Sequence, residues 1–120
     1  MNLEEFLELE KSDPNHRYEY IDGYPYMMTG GSPDHAIIGS NLNRILGERL
    51  RKRPCIVYDS DVTFQLSGKD RFYPDLSVSC DRRDRNAEKV IQYPCLVVEV
   101  LSPGTRAKDK GLKADLYQEC

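Results

Sequence analysis

An acidic residue inside an apolar run is the feature that most constrains this chain. Residues 95–101 read Cys-Leu-Val-Val-Glu-Val-Leu, so that Glu99 interrupts an otherwise apolar stretch. Successive side chains of a strand point to opposite faces, so a run of consecutive apolar residues is typical of a strand covered on both faces. We therefore predict a central strand here. A carboxylate in such a strand is strongly unfavourable unless a cation, a metal ion or hydrogen-bond donors meet it. The run thus predicts a functional site around Glu99.

The residues that follow the run predict a helix that faces this site. Residues 102–104, Ser-Pro-Gly, would end the strand, and Thr105 would cap the helix. Asp109, Lys113 and Tyr117 recur at spacings of four, so they share one edge of that helix. The alternative is that Asp109 and Lys113 form an ordinary exposed ion pair.

A second acidic residue, Asp75, lies in a segment that alternates in polarity. We predict a strand over residues 72–79, with an apolar face and a polar face. The apolar face holds Phe72, Leu76 and Val78, and the polar face holds Tyr73, Asp75, Ser77 and Ser79. Because Pro74 cannot donate a ladder hydrogen bond, the strand should be irregular or at an edge near Asp75. If this strand pairs with the Glu99 strand, the two carboxylates can converge.

Two carboxylates with a lysine nearby are what a metal-dependent phosphodiesterase requires. Carboxylate oxygens hold a hard cation, the cation neutralises the phosphate and activates water, and the ammonium stabilises developing charge. The residues alone therefore predict a metal site at Asp75 and Glu99 with Lys113 beside it. Taken singly, Asp75 could instead cap a neighbouring amide in a turn, and Glu99 could form a structural ion pair with an arginine.

The order of these residues resembles the PD-(D/E)XK restriction-endonuclease-like superfamily. Pro74-Asp75, followed after 23 residues by Glu99 in an apolar strand, is similar to the superfamily pattern. One uncharacterised bacterial branch, described as restriction endonucleases, is similar over residues 17 to 117. The matching pieces are Arg17-Tyr18-Glu19, Ile21-Asp22-Gly23, Ser32-Pro33 before His35, Pro74-Asp75-Leu76-Ser77-Val78, Val98-Glu99-Val100-Leu101-Ser102-Pro103, Thr105, Asp109, Lys113 and Tyr117.

The resemblance implies an α/β fold of the restriction-endonuclease-like type, with a mixed β-sheet flanked by helices and one domain over residues 1–120. It implies hydrolysis of DNA phosphodiester bonds with Mg²⁺ or Mn²⁺. Asp75 and Glu99 would hold the metal, Lys113 would stabilise the transition state, and His35 would assist as a ligand or proton carrier. Glu19 is either a further acid of the site or a salt-bridge partner within the first hairpin.

The chain departs from the pattern at two points. The superfamily has a lysine two residues after the second acid, where this chain has Leu101; the branch supplies the lysine from the next helix, at the place of Lys113. The branch also continues with another strand pair, so we expect either a truncated member or a sheet that is completed by a partner. The rival hypothesis is therefore an inactive homo-oligomeric or partner-binding module. A third is a metal-dependent hydrolase of another phosphate ester.

Composition limits the location and the partners. The net charge of −3 gives no general attraction to DNA, which must bind a local patch. No apolar run approaches the length of about 18 residues that spans a membrane, and the acidic N-terminus does not read as a signal peptide. We predict a cytoplasmic homo-oligomer. Its four cysteines are expected to be free thiols rather than disulfides or zinc ligands.

The remaining elements follow from local patterns. We predict a short helix over residues 2–10, a hairpin around Asp22-Gly23, strands over 55–58 and 61–66, and a solvated charged loop over 81–88. A long helix should run from residue 34 to about 53. Its interior stripe would hold Ile38, Leu42, Ile45, Leu46 and Arg49, with His35 one turn earlier. A capping or core histidine is the alternative for His35.

Overall fold

The computed structural model describes residues 1–28 and 30–101. The helix predicted around Lys113, with Asp109 and Tyr117 on its edge, lies outside these residues. Nothing in the described part of the chain is a helix long and apolar enough to cross a membrane.

The described residues form three helices and eight strands. The helices are α1 (Leu3–Ser12), α2 (Pro33–Arg49) and α3 (Arg82–Arg85). The strands are β1 (Tyr18–Ile21), β2 (Tyr24–Met27), β3 (Ile56–Tyr58), β4 (Thr63–Leu66), β5 (Asp70–Phe72), β6 (Leu76–Ser79), β7 (Val90–Ile91) and β8 (Leu96–Val98).

The strands are divided between two sheets. The five-stranded sheet has the order β2-β1-β5-β4-β7 and is mixed, because β7 pairs parallel to β4 whereas the other neighbours are antiparallel. The three-stranded sheet has the order β3-β6-β8 and is antiparallel. The α/β fold with a mixed sheet and flanking helices is confirmed, with the difference that the strands form two sheets.

The hairpin turn predicted at Asp22-Gly23 is confirmed, and a second turn of the same kind joins β4 to β5. Asp22 and Gly23 join β1 to β2 with φ values of 51° and 82°, and Ser67 and Gly68 join β4 to β5 with φ values of 54° and 76°. Two consecutive residues with positive φ define the type I′ turn, whose twist matches that of the flanking strands. Asp-Gly and Ser-Gly are suited to it because glycine adopts this conformation without strain.

The core lies against the five-stranded sheet and also connects it to the second sheet. Its buried residues are Ile21, Phe64, Leu66, Phe72 and Ile91, and Tyr58 and Val97 of the three-stranded sheet pack against them. Helix α1 adds Phe6, which is fully buried and stacks on Tyr20 with the ring centroids 4.8 Å apart. The two sheets therefore share one hydrophobic core.

The single strand predicted over residues 72–79 is wrong, because the chain changes sheets in the middle of it. β5 ends at Phe72, β6 begins at Leu76, and the two strands belong to different sheets. The break falls at Tyr73–Asp75, around the proline that was expected to disturb the strand. The polar face was also misjudged, since Ser77 and Ser79 are as buried as Leu76.

The prediction of a central strand over residues 95–101 is wrong within the described part of the chain. β8 covers only three residues of this run and pairs with β6 at the outside of the three-stranded sheet, where Leu96 is 43% exposed. The strand with neighbours on both sides is β6, all four residues of which are buried. Small serines at alternate positions allow β6 to be covered on both faces without an apolar sequence.

Helix α2 also differs from its prediction. It ends at Arg49, and none of its residues is buried. Ile38 and Ile45 are 47% and 43% exposed, so the predicted stripe is not an interior face. Among the leucines and isoleucines of the predicted stripe, only Leu42 and Leu46 are partly buried.

The charged segment over residues 81–88 is not simply a solvated loop. It contains α3, and Asp84 within it is buried. The Asp84 carboxylate accepts hydrogen bonds from the Ser79 hydroxyl and from the backbone N–H groups of Gln92 (2.8 Å) and Tyr93 (3.0 Å). These donors stabilise the buried charge and tie the segment to the end of β7.

The expectation of free thiols is wrong for two of the cysteines. The β3–β6 register pairs Ile56 with Ser79, so the next residues out, Cys55 and Cys80, lie opposite each other with a Cα–Cα distance of 4.0 Å. They form a disulfide. Cys95 is a free, exposed thiol, and Cys120 lies outside the described residues.

Candidate active site

The first turn of α2 positions His35. Ser32 caps the helix, its hydroxyl accepting a hydrogen bond from the His35 N–H at 3.2 Å, and Pro33 occupies the first helical turn, where its fixed φ is favourable. Gly31 lies against the imidazole: a Cβ at this position would come within 2.8 Å of His35 Nδ1. The glycine therefore leaves the space that the histidine ring occupies.

The His35 ring faces Asp75. His35 Nε2 lies 3.2 Å from Asp75 Oδ1, and the two side chains are 25% and 16% exposed. Both groups are thus largely withdrawn from solvent but open on one side. The prediction that His35 points inward at the helix start is confirmed, and its neighbour is the first of the predicted metal ligands.

The second oxygen of Asp75 is held by the Glu99 segment. Asp75 Oδ2 accepts a hydrogen bond of 2.6 Å from the Val100 N–H. The β6–β8 ladder pairs Leu76 with Val98, and the same register continued by one residue brings Asp75 opposite Glu99. Antiparallel neighbours at opposite positions present their side chains on one face. The predicted pairing of the two acidic strands is confirmed, and Glu99 is partly buried just beyond β8.

Glu19 supports the break in the chain that precedes Asp75. This residue of β1 is fully buried, and its Oε2 accepts a hydrogen bond of 2.8 Å from the Tyr73 N–H. The bond satisfies a backbone donor at the point where β5 ends, and so fixes the path of the chain into Pro74 and Asp75. Glu19 therefore accepts a backbone hydrogen bond. The sequence predicted either a further acid of the site or a salt-bridge partner, and neither prediction included this contact.

Arg17 is a neighbour of the site that sequence reasoning did not assign. Its guanidinium donates to the Ser60 carbonyl at 3.1 Å and to Asp61 Oδ1 at 2.9 Å, and its Cζ lies 4.7 Å from the centroid of the Tyr73 ring. These contacts join the start of β1 to the loop after β3. Asp61 is 44 positions away along the chain, so no local pattern could have indicated the pairing.

Two open clefts meet at His35 and Asp75. One, of about 520 Å³, runs along α2 and includes Asn43, Arg44 and Asp59. The other, of about 740 Å³, is lined by residues that include His16 and Arg17. His35, Ala36, Ser60 and Asp75 line both clefts. The two clefts therefore adjoin each other at the His35–Asp75 pair.

Comparison with protein families decides the affiliation of the chain. The model of the family Uma2, described as "Putative restriction endonuclease", matches residues 3–120. The chain belongs to the Uma2 family. The resemblance to a restriction-endonuclease-like branch is thereby confirmed.

Two relatives from Synechocystis sp. (strain ATCC 27184 / PCC 6803 / Kazusa) are similar to this Uma2 member. "Uncharacterized protein slr1290" is 43% identical over 98% of this chain and 62% of its own length. "Uncharacterized protein sll1609" is 27% identical over 95% of this chain and 66% of its own length. The chain thus spans a little under two thirds of the length of these relatives.

A solved structure supports the fold. The crystal structure of a "putative nuclease belonging to DUF820" from Anabaena variabilis ATCC 29413 superposes with a TM-score of 0.71 at 24% identity, covering 94% of this chain and 66% of that one. At this identity the likeness shows that the two chains share a fold, and no more.

The charges around the second cleft are set by local partners. Both oxygens of Asp13 contact His16 Nδ1, at 2.9 and 3.0 Å, and Oδ2 also accepts a hydrogen bond of 2.7 Å from the Tyr18 hydroxyl. The hydrogen bond with His16, and then that with Tyr18, hold the pKa of the Asp13 carboxyl below its usual value. Away from this cleft, on α1, burial raises the pKa of Glu10 against the opposing effects of Arg71 and Tyr73.

The donor set of the site fits a hard cation. No group of three or more His, Cys, Asp or Glu side chains within residues 1–28 and 30–101 could enclose a metal ion. Mg²⁺ is usually bound through one or two carboxylates together with water and substrate phosphate, so Asp75, alone or with Glu99, would be sufficient for it. Each oxygen of Asp75 has one described neighbour and retains a lone pair for a cation.

Proposed function

We propose that this Uma2 domain is a metal-dependent nuclease that hydrolyses DNA phosphodiester bonds. One observation carries the proposal: Asp75 lies against His35 at the junction of two open clefts, and its other oxygen is fixed by the segment that contains Glu99. Membership of a family described as restriction endonucleases supports the same reaction class.

Asp75 and Glu99 are proposed as the ligands of Mg²⁺ or Mn²⁺. When bound, the cation would neutralise phosphate charge and lower the pKa of a water molecule. The contribution of the chain is to hold the two acids in place. The Val100 N–H orients Asp75, and the buried acceptor Glu19 fixes the preceding turn. Such supporting hydrogen bonds keep ligating carboxylates in one geometry.

His35 is proposed as the proton carrier of the site rather than as a third ligand, because no group of three side chains that could hold a metal ion lies within residues 1–28 and 30–101. A ring that lies 3.2 Å from a carboxylate is held in one orientation, and an imidazole can both accept and donate a proton. Lys113, outside the described residues, remains proposed as the cation that stabilises charge on the phosphate.

Arg44 and Arg17 are the cations that we propose to contact the DNA backbone. The overall charge is negative, so attraction to phosphate must arise locally. Arg44 is exposed along the first cleft, and Arg17 lines the second. Because Arg17 already bonds Asp61, Arg44 is expected to contribute more to binding.

A cleavage assay tests the proposal. Supercoiled plasmid and linear DNA are incubated with the full chain and Mn²⁺ or Mg²⁺, with and without a chelator. Wild type should nick or cleave DNA only with the metal, and Asp75→Asn and Glu99→Gln should abolish the activity. Asp34→Asn removes an exposed carboxylate beside His35 in the sequence and should remain active.

The outcome of this assay separates the proposal from its rivals. An inactive wild type whose acid variants lose stability would identify Asp75 and Glu99 as structural, in agreement with a non-catalytic module. Metal-dependent hydrolysis of simple phosphate esters without cleavage of DNA would favour the third hypothesis. The Asn and Gln variants are close in shape to the acids, so circular dichroism should show the wild-type fold in both.

Self-association and a cytoplasmic location stay predictions. Within the described residues β8 pairs on one side with β6, and both Leu96 in β8 and Leu101 after it are exposed. We propose that a second copy of the chain covers this edge. Sedimentation should then show a dimer or larger species, and a monomer at high protein concentration would contradict it.

A further inference from the structure

Three cysteine sulfurs converge at one end of the three-stranded sheet. Cys55 precedes β3, Cys80 follows β6, and Cys95 precedes β8, so each of the three strands carries one of them. Cys55 and Cys80 are joined as a disulfide, and the Cys95 sulfur lies 3.8 Å from that of Cys80. The sequence places these residues 25 and 15 positions apart, and the strand register brings them together.

The free thiol is both fixed and accessible. The Cys95 N–H donates a hydrogen bond of 2.8 Å to the Val78 carbonyl, and its sulfur lies 3.4 Å from the same oxygen. Cys95 is exposed and lines an apolar cleft of about 680 Å³. A thiol held beside a disulfide sulfur and open to solvent has the arrangement that thiol–disulfide exchange requires.

We propose that these cysteines form a thiol–disulfide exchange site in which the disulfide moves between Cys55–Cys80 and Cys80–Cys95. Cys95 loses its proton to solvent, and its thiolate attacks the Cys80 sulfur. The Cys80–Cys95 bond forms as the Cys55–Cys80 bond breaks, and the electron pair leaves on Cys55, which takes up a proton. The step needs no external oxidant or reductant.

The exchange changes which strands are joined covalently. The Cys55–Cys80 bond joins the ends of β3 and β6, whereas a Cys80–Cys95 bond joins β6 to β8. β6 and β8 lead into Asp75 and Glu99 at their other ends. Small thiols and their disulfides are the molecules that would act on such a site. The inference rests on the sheet geometry and is independent of nuclease activity.

Peptide mapping of the full chain tests the exchange. Cys120→Ser removes the cysteine outside the described residues, and Lys or Arg residues separate the other three, so trypsin releases each in its own peptide. The oxidised protein is held at pH 8 until the linkage pattern is constant and is then quenched with N-ethylmaleimide. Exchange predicts that both the Cys55–Cys80 and the Cys80–Cys95 disulfides are found, so that N-ethylmaleimide labels Cys55 as well as Cys95. Because the exchange occurs within one chain, its rate should not depend on protein concentration.

Two variants complete the design. Cys55→Ser, oxidised with glutathione disulfide, should form the Cys80–Cys95 bond within one chain, and Cys95→Ser should leave Cys55 unlabelled. Label confined to Cys95 at equilibrium would overturn the proposal. So would Cys55→Ser protein that carries only glutathione adducts while circular dichroism shows the wild-type fold. If Cys55→Ser does not fold, the equilibrium mapping with native Cys55 decides the matter.

Discussion

His35 Nε2 and Asp75 Oδ1 lie 3.2 Å apart, which joins the start of α2 to the start of β6. The contact brings together a helix-terminal imidazole and a strand-terminal carboxylate from distant parts of the sequence. It is supported from both sides, since Gly31 leaves space for the ring and the Val100 N–H holds the carboxylate.

Gly31→Ala should weaken this contact. Its added methyl group would come within 2.8 Å of His35 Nδ1, so the ring must move away. DNA cleavage should fall by about tenfold or more, a loss typical of altered support for a catalytic group. Gly30→Ala is the matched control, because nothing lies within 4 Å of its added Cβ. Equal activity of the two variants would show that the position of His35 is unimportant.

Glu19 is expected to stabilise the fold through its hydrogen bond with the Tyr73 N–H. Glu19→Ala removes the acceptor of a buried donor, and the free energy of unfolding should fall by about 1–3 kcal/mol. Glu19→Gln keeps a carbonyl acceptor and should restore much of this loss. Denaturant unfolding measures the stability of both variants. DNA cleavage by Glu19→Gln tests whether Glu19 is also an acid of the metal site. An inactive but stable Glu19→Gln protein would make Glu19 a metal ligand after all.

The position of β6 between two strands predicts unequal responses to the same truncation. Leu76→Ala, at a residue only 1% exposed, should lower the free energy of unfolding by about 2–5 kcal/mol. Leu96→Ala, on β8 and 43% exposed, should cost less than about 1.5 kcal/mol, since much of its side chain is already in water. Similar losses at both positions would favour the central strand predicted from the apolar run.

The acid beside the second cleft gives a pH dependence. Since the folded-state pKa of Asp13 is lowered, its contribution to stability is present above the unfolded value of 3.8 and is lost as the pH falls through the folded value. NMR titration should find Asp13 below 3.8. His16→Ala should raise this pKa more than Tyr18→Phe, because the His16 hydrogen bond is the larger cause. An unchanged pKa in His16→Ala would contradict the assignment.

Sequence reasoning succeeded where the deciding interactions are local. Asp22-Gly23 indicated the first hairpin because the turn depends on two residues, and the start of α2 was predicted at residue 34, one position after its first residue, Pro33. The pairing of the Asp75 and Glu99 segments was also correctly predicted. Each acid stands at an end of a short strand, so antiparallel pairing in register suffices to bring them together.

It failed where distant partners decide the outcome. Pro74 indicated an irregularity, but nothing near it showed that the chain passes there from one sheet to the other. Asp84 appeared to be solvated, because its amide donors, Gln92 and Tyr93, come from beyond the charged segment. The Cys55–Cys80 disulfide depends on the β3–β6 register, which spacing alone cannot supply.

The central claim is that Asp75 and Glu99 share one metal ion, and calorimetric titration with Mn²⁺ tests it most directly. Wild type should bind one ion at the site, and Asp75→Asn and Glu99→Gln should each weaken it by at least about tenfold, whereas Asp34→Asn should not. The double variant should lose little more Mn²⁺ affinity than either single variant, because the contributions of two ligands to one ion are not independent. Undiminished binding in both single variants, or losses that simply add, would contradict a shared site.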